Sequence, residues 1–297
     1  MFSGRQVVNR QAKTLTAVPQ RYYEPQKLYF NENGTRNSIS GVKATVFGGT
    51  SVVGATIGGS LTSKGSACVY PHRAVGDTYS QQFRELKVMA DMGYKTAIRL
   101  TDFTCPREVG LSIKDSNVVV CAIGSKTFYN TEEEFVEANI DIPRNIAKCV
   151  AENPGVKRFI YISHAGADPN SPSPKLRTKW AGEQEVKRIY PDVTILRPTT
   201  TLNLLHIAPS FPGKWMQMLK MFNRTFYQLE GHNGKVQPTY VNDVALAAIN
   251  ALKMDESIGK TYDLGGPHVY THNEIYEQFY NITQIKPYII PIKMEEA

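Results

Sequence analysis

The sequence predicts an α/β protein, a doubly wound parallel sheet followed by a smaller C-terminal α/β lobe. Three observations predict it. Between about residues 41 and 200, strand-length apolar runs alternate with helix-length ones, the rhythm of right-handed βαβ units. The run over 117–123 (NVVVCAI) is apolar at almost every position, as suits a strand covered on both faces. The first strand, over 43–47, leads directly into a small-residue turn and a helix.

In order, the first strand and its glycine turn feed a helix ending near Lys64. A strand over 66–71, a helix over 80–92 and a strand over 94–100 follow. After the 117–123 strand, a helix over 131–152 opens with Thr131 and Glu134 at capping-box spacing. A strand over 158–163, a helix over 175–189 and a strand over 193–197 complete the alternation. Beyond Pro198 it loosens into a helix over 214–227, a strand over 236–240 and helices over 242–252 and 273–282. In folds of this kind such a lobe covers the crevice at the carboxyl ends of the strands.

Composition bounds the function. Of 297 residues, 41% are hydrophobic and 21% charged, enough apolar material for a large core. No run approaches the ~20 apolar residues needed to cross a bilayer. The net charge of +7 is spread out, with no Lys/Arg block interleaved with aromatics, which argues against nucleic acid as a partner. Cys68, Cys105, Cys121 and Cys149 show no C-x-x-C spacing and read as small buried hydrophobes rather than metal ligands or disulfides. The Asn281-Ile282-Thr283 sequon has meaning only in a secretory compartment. Residues 1–23 hold Arg5, Arg10, Lys13 and Arg21 and no acid before Glu24, the composition of a mitochondrial targeting segment, with a basic arm as the alternative.

The chemistry concentrates in Gly48, Gly49, Thr50, Ser51, Val52, Val53 and Gly54. A turn of this kind after a strand permits close backbone approach to a pyrophosphate and presents the free N–H groups of a helix start to it. Gly48 suits the tight turn and Gly54 the packing of the helix. Ser51 stands at the middle glycine of G-x-x-G-x-x-G, where its Cβ crowds a phosphate and its hydroxyl offers a donor. About twenty residues on, the second strand ends in His72-Arg73 with no carboxylate. A carboxylate there would accept from a ribose 2′-hydroxyl. Arg73 instead suits a 2′-phosphate, which favours NADPH over NADH. Asp102 and Phe103, after the third strand, are placed for the adenine, with a helix N-cap as the other reading of Asp102. Ile123 and Gly124 end the fourth strand beside the cofactor's ribose region. The chain thus divides into an arm and linker (1–40), a Rossmann-type NAD(P)-binding domain (41–200) and the smaller lobe (201–297).

ATVFGGTSVVG at 44–54, YPHR at 70–73, SNVVVCAIG at 116–124 and RFIYISHAGA at 158–167 carry a family resemblance. LRTKWAGEQEV at 176–186, ILRPTT at 195–200 and QPTYVNDVALAAINAL at 237–252 extend it. Over roughly residues 40–285 the chain resembles the extended and atypical short-chain dehydrogenase/reductases. Within them it is most similar to the short-chain-dehydrogenase-like accessory subunits of mitochondrial complex I (NADH:ubiquinone oxidoreductase). Active members of the superfamily pair a tyrosine with a lysine four residues on, the lysine lowering the phenol pKa for proton transfer while a serine orients the carbonyl. Lys179 matches that lysine and Ser163 that serine, but Lys175 stands at the tyrosine position.

The resemblance therefore implies a catalytically silent subunit that holds NADPH as a structural cofactor. It also implies a place among other complex I subunits, peripheral to the inner membrane on its matrix side. Lys179 would hold the nicotinamide ribose, and Pro198 would border the nicotinamide. Two other readings stay open. One is an NADPH-dependent atypical reductase or epimerase using Lys179 on a small carbonyl substrate; the other is a scaffold whose site Ser51 blocks.

Overall fold

The computed structural model describes residues 38–73, 94–124, 131–202, 225–229, 234–284 and 288–292. Within them the predicted parallel sheet is present. Its strands are β1 (Lys43–Phe47), β2 (Ala67–Arg73), β3 (Tyr94–Leu100), β4 (Val118–Cys121), β5 (Arg158–Ile162), β6 (Thr194–Pro198) and, further along the chain, β11 (Thr261–Leu264). They lie in the order β11-β6-β5-β4-β1-β2-β3, and every neighbouring pair is parallel. The chain winds outward in both directions from β1 and β4. The switch point between these two strands is where such sheets open a crevice at their carboxyl ends.

Helices cover both faces. They are α1 (Val52–Ser63), α2 (Pro106–Ile113), α3 (Glu132–Val136), α4 (Ile142–Glu152), α5 (Pro174–Ile189) and α6 (Val241–Lys253). Period-two strands supply a residue to each layer in turn. Val118, Val120, Ile160 and Leu196 join Ile57, Leu61, Ala245, Ala248 and Ile249 on one side. Val119, Cys121, Phe159, Tyr161 and Ile195 join Ile113, Ile146, Val150 and Val186 on the other. Arg158, buried at the start of β5, ties α6 to the sheet. Its guanidinium donates to the carbonyls of Ala251 (2.6 Å) and Met254 (3.3 Å) and to Ser257 Oγ (2.5 Å), satisfying acceptors at the helix C-terminus.

The remaining strands pair in small ribbons. β7 (Thr201–Leu202) joins β10 (Thr239–Tyr240), and β8 (Thr225–Leu229) joins β13 (Tyr288–Ile292). β9 (Lys235–Val236) joins β12 (Tyr270–Thr271), which leads into α7 (His272–Thr283).

Several expectations change. The helix over 131–152 is interrupted by a π turn at Glu137–Asp141. The strand expected over 236–240 is two short ones, broken at Gln237-Pro238 because proline has no N–H for a ladder. Residues 225–227, expected to end a helix, begin β8, whose five-residue parallel pairing with β13 overrides the local helical pattern. Helix α2 and strand β11 are additions. The arm, the helix over 80–92 and the rest of the 214–227 helix lie outside the described residues.

Candidate dinucleotide site

The glycine turn expected to face a phosphate is built at the exit of β1. Gly48 has φ +78°, and a Cβ there would stand 2.6 Å from the carbonyl oxygen of Ala122 at the exit of β4. Only glycine satisfies both constraints. Ser51 is the N-cap of α1: its N–H donates to Gly48 O (2.8 Å) and its Oγ accepts from Gly54 N–H (3.1 Å). The serine hydroxyl is therefore turned back onto the helix end as an acceptor, keeping its own proton to donate. A Cβ on Gly54 would overlap Gly48 O, and one on Gly49 would overlap the Tyr70 ring, so turn and helix close as tightly as they do through these glycines. Helix geometry leaves the N–H groups of Val52 and Val53 facing outward beside Thr50. The first turn of α1 carries no acid, so the positive end of its dipole stays uncompensated.

The residues expected at an adenosine end lie at β2 and β3. Arg73, exposed at the end of β2, places Nη1 3.6 Å from Glu137 Oε1, with its guanidinium 5.8 Å from the Phe103 ring centre. Phe103 is mostly a core residue, edge-on to Phe47 at 6.1 Å. Asp102 is not the helix N-cap; Cys105 holds that position in α2. The Asp102 carboxylate instead closes the preceding turn, accepting from Thr104 N–H (2.7 Å) and Thr104 Oγ1 (2.5 Å). The hydroxyl and amide of Thr104, with Arg73 adding a weaker field, hold its carboxyl below the usual carboxylate range.

The third corner is the buried pocket where α5 meets β4 and β5. Lys179 Nζ donates to the carbonyls of Ile123 (2.9 Å) and Ile162 (3.3 Å) and lies 5.2 Å from the centre of the Tyr161 ring. A Cβ on Gly124 would sit 3.2 Å from that ammonium. Burial pushes the lysine down to about 8, with Cys121 and Glu183 opposing and Lys175, one helical turn earlier, adding to the shift. Ser163 follows directly; its N–H donates to Leu196 O, and its buried Oγ has no protein partner. Burial also lowers the pKa of His164, with the Lys175 and Lys179 charges contributing, and its Nδ1 lies 2.5 Å from Ala165 O. Pro198 is buried at the end of β6, its carbonyl accepting from Ala165 N–H (2.9 Å).

Asn139, Glu183 and Glu137 escaped the sequence reading. Asn139, fully buried in the π turn, donates to Thr178 Oγ1 (3.0 Å), takes Tyr161 OH on its backbone oxygen (3.3 Å), and leaves its own Oδ1 unpartnered. Glu183 and Arg197 form a bidentate pair (2.8 and 2.6 Å) behind the pocket, with Glu183 wholly inaccessible. No π turn or pair fourteen residues apart has a sequence signature.

The pH response of Lys179 is directly measurable. Its ammonium titrates near 8 when folded, against 10.5 ordinarily. Between those values the unfolded chain binds the extra proton, so stability rises with pH there; below pH 8 the cost of burying the charge is fully present. Wild-type stability relative to Lys179→Met, measured by urea midpoints, is expected to rise between pH 8 and 10.5 by up to ~3 kcal/mol. A flat difference would contradict a buried ammonium.

The parts fit a dinucleotide: a cradle that a Cβ would fill, a helix start with no acid in its first turn, and two orphaned buried polar atoms, Ser163 Oγ and Asn139 Oδ1. Among the described residues no His/Cys/Asp/Glu group could hold a metal, and no helix is long and apolar enough to cross a membrane.

No family model matches the chain. It is 36% identical over 260 residues to the mitochondrial NADH dehydrogenase (ubiquinone) 1 alpha subcomplex subunit 9 of Arabidopsis thaliana, covering 86% of this chain and 61% of that protein. The mouse protein of the same name is 32% identical over 266 residues, covering 87% and 66%. The mitochondrial NADH-ubiquinone oxidoreductase 40 kDa subunit of Neurospora crassa is 33% identical over 252 residues, covering 84% and 63%. The chain is thus similar to these subunits over most of its own length. It spans under two thirds of the length of each of the three. In fold, the chain is similar to UDP-glucuronic acid 4-epimerase of Bacillus cereus in complex with NAD (TM-score 0.72, 17% identity, 84% of this chain and 87% of that one). It is also similar to a Bordetella bronchiseptica enzyme in complex with NAD+ (TM-score 0.68, 17% identity, 86% and 87%).

Proposed function

We propose that this protein is an accessory subunit of mitochondrial complex I that holds NADPH as a structural cofactor and is catalytically silent. The observation that carries the reading is the Gly48–Ser51–Gly54 cradle against the β4 exit, in a chain homologous to complex I subunits over most of its length. The outward N–H groups of Val52 and Val53 would receive the pyrophosphate, Arg73 the 2′-phosphate, and Lys179 with Ser163 the nicotinamide ribose. When bound, NADPH supplies a hydride donor. Around it the chain places Lys175 and Lys179 on successive turns of α5, with no phenol at the family's tyrosine position, so the protein's own contribution is to bind and orient. A ligand that binds only the folded state stabilises it by about 2.7 kcal/mol at a hundredfold excess over Kd, which gives a silent cofactor a structural use.

The test is native electrophoresis of mitochondrial membranes followed by immunodetection. The chain is expected in the complex I band, and a chain found only as a free monomer would refute the subunit reading. One observation favours the reductase alternative: Lys179, at about 8, is poised for proton transfer near neutrality. Under that reading, NADPH oxidation with some member of a carbonyl panel would be abolished by Lys179→Ala. The silent reading expects no turnover with any of them.

A further inference from the structure

Arg73 faces acidic side chains from two other elements. Glu137, the first residue of the π turn, puts Oε1 3.6 Å from Arg73 Nη1, and both side chains are about half exposed. Asp102, following β3, lies within the electrostatic reach of the same guanidinium. The Asp102 carboxylate is engaged through both oxygens by Thr104, so Glu137 is the acid whose ion pair meets Arg73 directly. Sites that accept a ribose 2′-hydroxyl carry a carboxylate at the end of the second strand; sites that accept a 2′-phosphate carry an arginine. Here the arginine stands on β2 and the carboxylate arrives from the helix after β4.

We propose that Glu137 is a specificity-determining residue for the dinucleotide, its carboxylate competing with a 2′-phosphate for Arg73 and offering an acceptor to a free 2′-hydroxyl. The proposal rests on the cofactor reading above. A phosphate dianion drawn to Arg73 must displace Glu137 and then sit beside its negative charge. A 2′-hydroxyl meets no such repulsion and gains an anionic acceptor. The site therefore takes NADH as well as NADPH, with a narrower preference than an arginine alone would impose. Because the pair is exposed and charges are screened over ~8 Å at physiological salt, the effect is a modest factor.

The experiment titrates NADPH and NADH, by nicotinamide fluorescence, into the purified full chain and its Glu137→Gln, Glu137→Asp and Arg73→Met variants. Glu137→Gln is expected to tighten NADPH about 3- to 10-fold and weaken NADH about 2-fold, the change shrinking as salt rises from 50 to 300 mM. Glu137→Asp, whose shorter carboxylate withdraws from Arg73, should move the ratio the same way by less, and it serves if the glutamine disturbs the π turn. Arg73→Met should weaken NADPH and leave NADH within about 2-fold. A wild type that binds NADPH with a ratio unmoved by both Glu137 variants overturns this proposal alone. A folded wild type that binds neither nucleotide overturns the cofactor reading and this proposal together.

Discussion

Replacing Arg197 with methionine is expected to destabilise the protein by roughly 3–5 kcal/mol, the cost of leaving a buried charge without its partner. Glu183 is wholly inaccessible and meets Arg197 through two short bonds. Without the guanidinium, its carboxylate is left buried and unpaired in the space between α5 and β6. For a chain of this size that corresponds to a fall in Tm of about 5–8 °C. The double variant Glu183→Leu/Arg197→Met removes both charges and is expected to recover to within about 2 kcal/mol of wild type, since a buried pair adds little over well-packed apolar groups. Thermal unfolding of the three proteins decides it. A single variant as stable as wild type would mean that Glu183 is not buried as described.

The second large effect is steric. Gly182, on α5, faces the backbone oxygen of Asn139 so closely that a Cβ would fall inside it, with the Tyr161 hydroxyl 3.1 Å away. Gly182→Ala must push α5 off the π turn, and the cost is expected to reach roughly 3 kcal/mol, the upper range for overpacking. Because α5 also carries Lys179, the displacement should loosen the bonds from its ammonium to Ile123 and Ile162. Cofactor affinity should therefore fall together with Tm. Gly110, in α2, is the contrasting position: a Cβ there meets nothing within 4 Å. Gly110→Ala is expected to stabilise by about 0.5–1 kcal/mol through helix propensity. Equal effects at the two glycines would contradict the packing described.

These two sites also mark what the sequence could not show. The limits of β1 and β3 were legible to the residue: β1 is an apolar run ending at the glycine turn, and β3 alternates Tyr94, Thr96, Ile98 and Leu100 with Lys95, Ala97 and Arg99. Helix α2 was hidden: it has eight residues, contains Gly110 and buries chiefly Val109 and Ile113. Strand β11 is four residues with an aspartate among them, and its place follows from pairing with β6 rather than from its own pattern. In the candidate site, the glycine turn and Arg73 were named from their spacing after a strand, and Lys179 from the family resemblance. Asn139, Glu183 and Glu137 could not be named, because their partners come from distant segments joined by the topology. Asp102 shows the limit from the other side. Its position after β3 was read correctly, but its carboxylate is taken up by Thr104, two residues away.

We propose that this chain holds NADPH within complex I. The most direct measurement is to excise the complex I band, denature it, and quantify the released nucleotide by mass spectrometry against the amount of this chain. The expected result is about one NADPH per chain, lost in a Gly48→Ala variant whose φ and contact with Ala122 the added methyl cannot meet. A complex that contains the chain but releases no dinucleotide would contradict it.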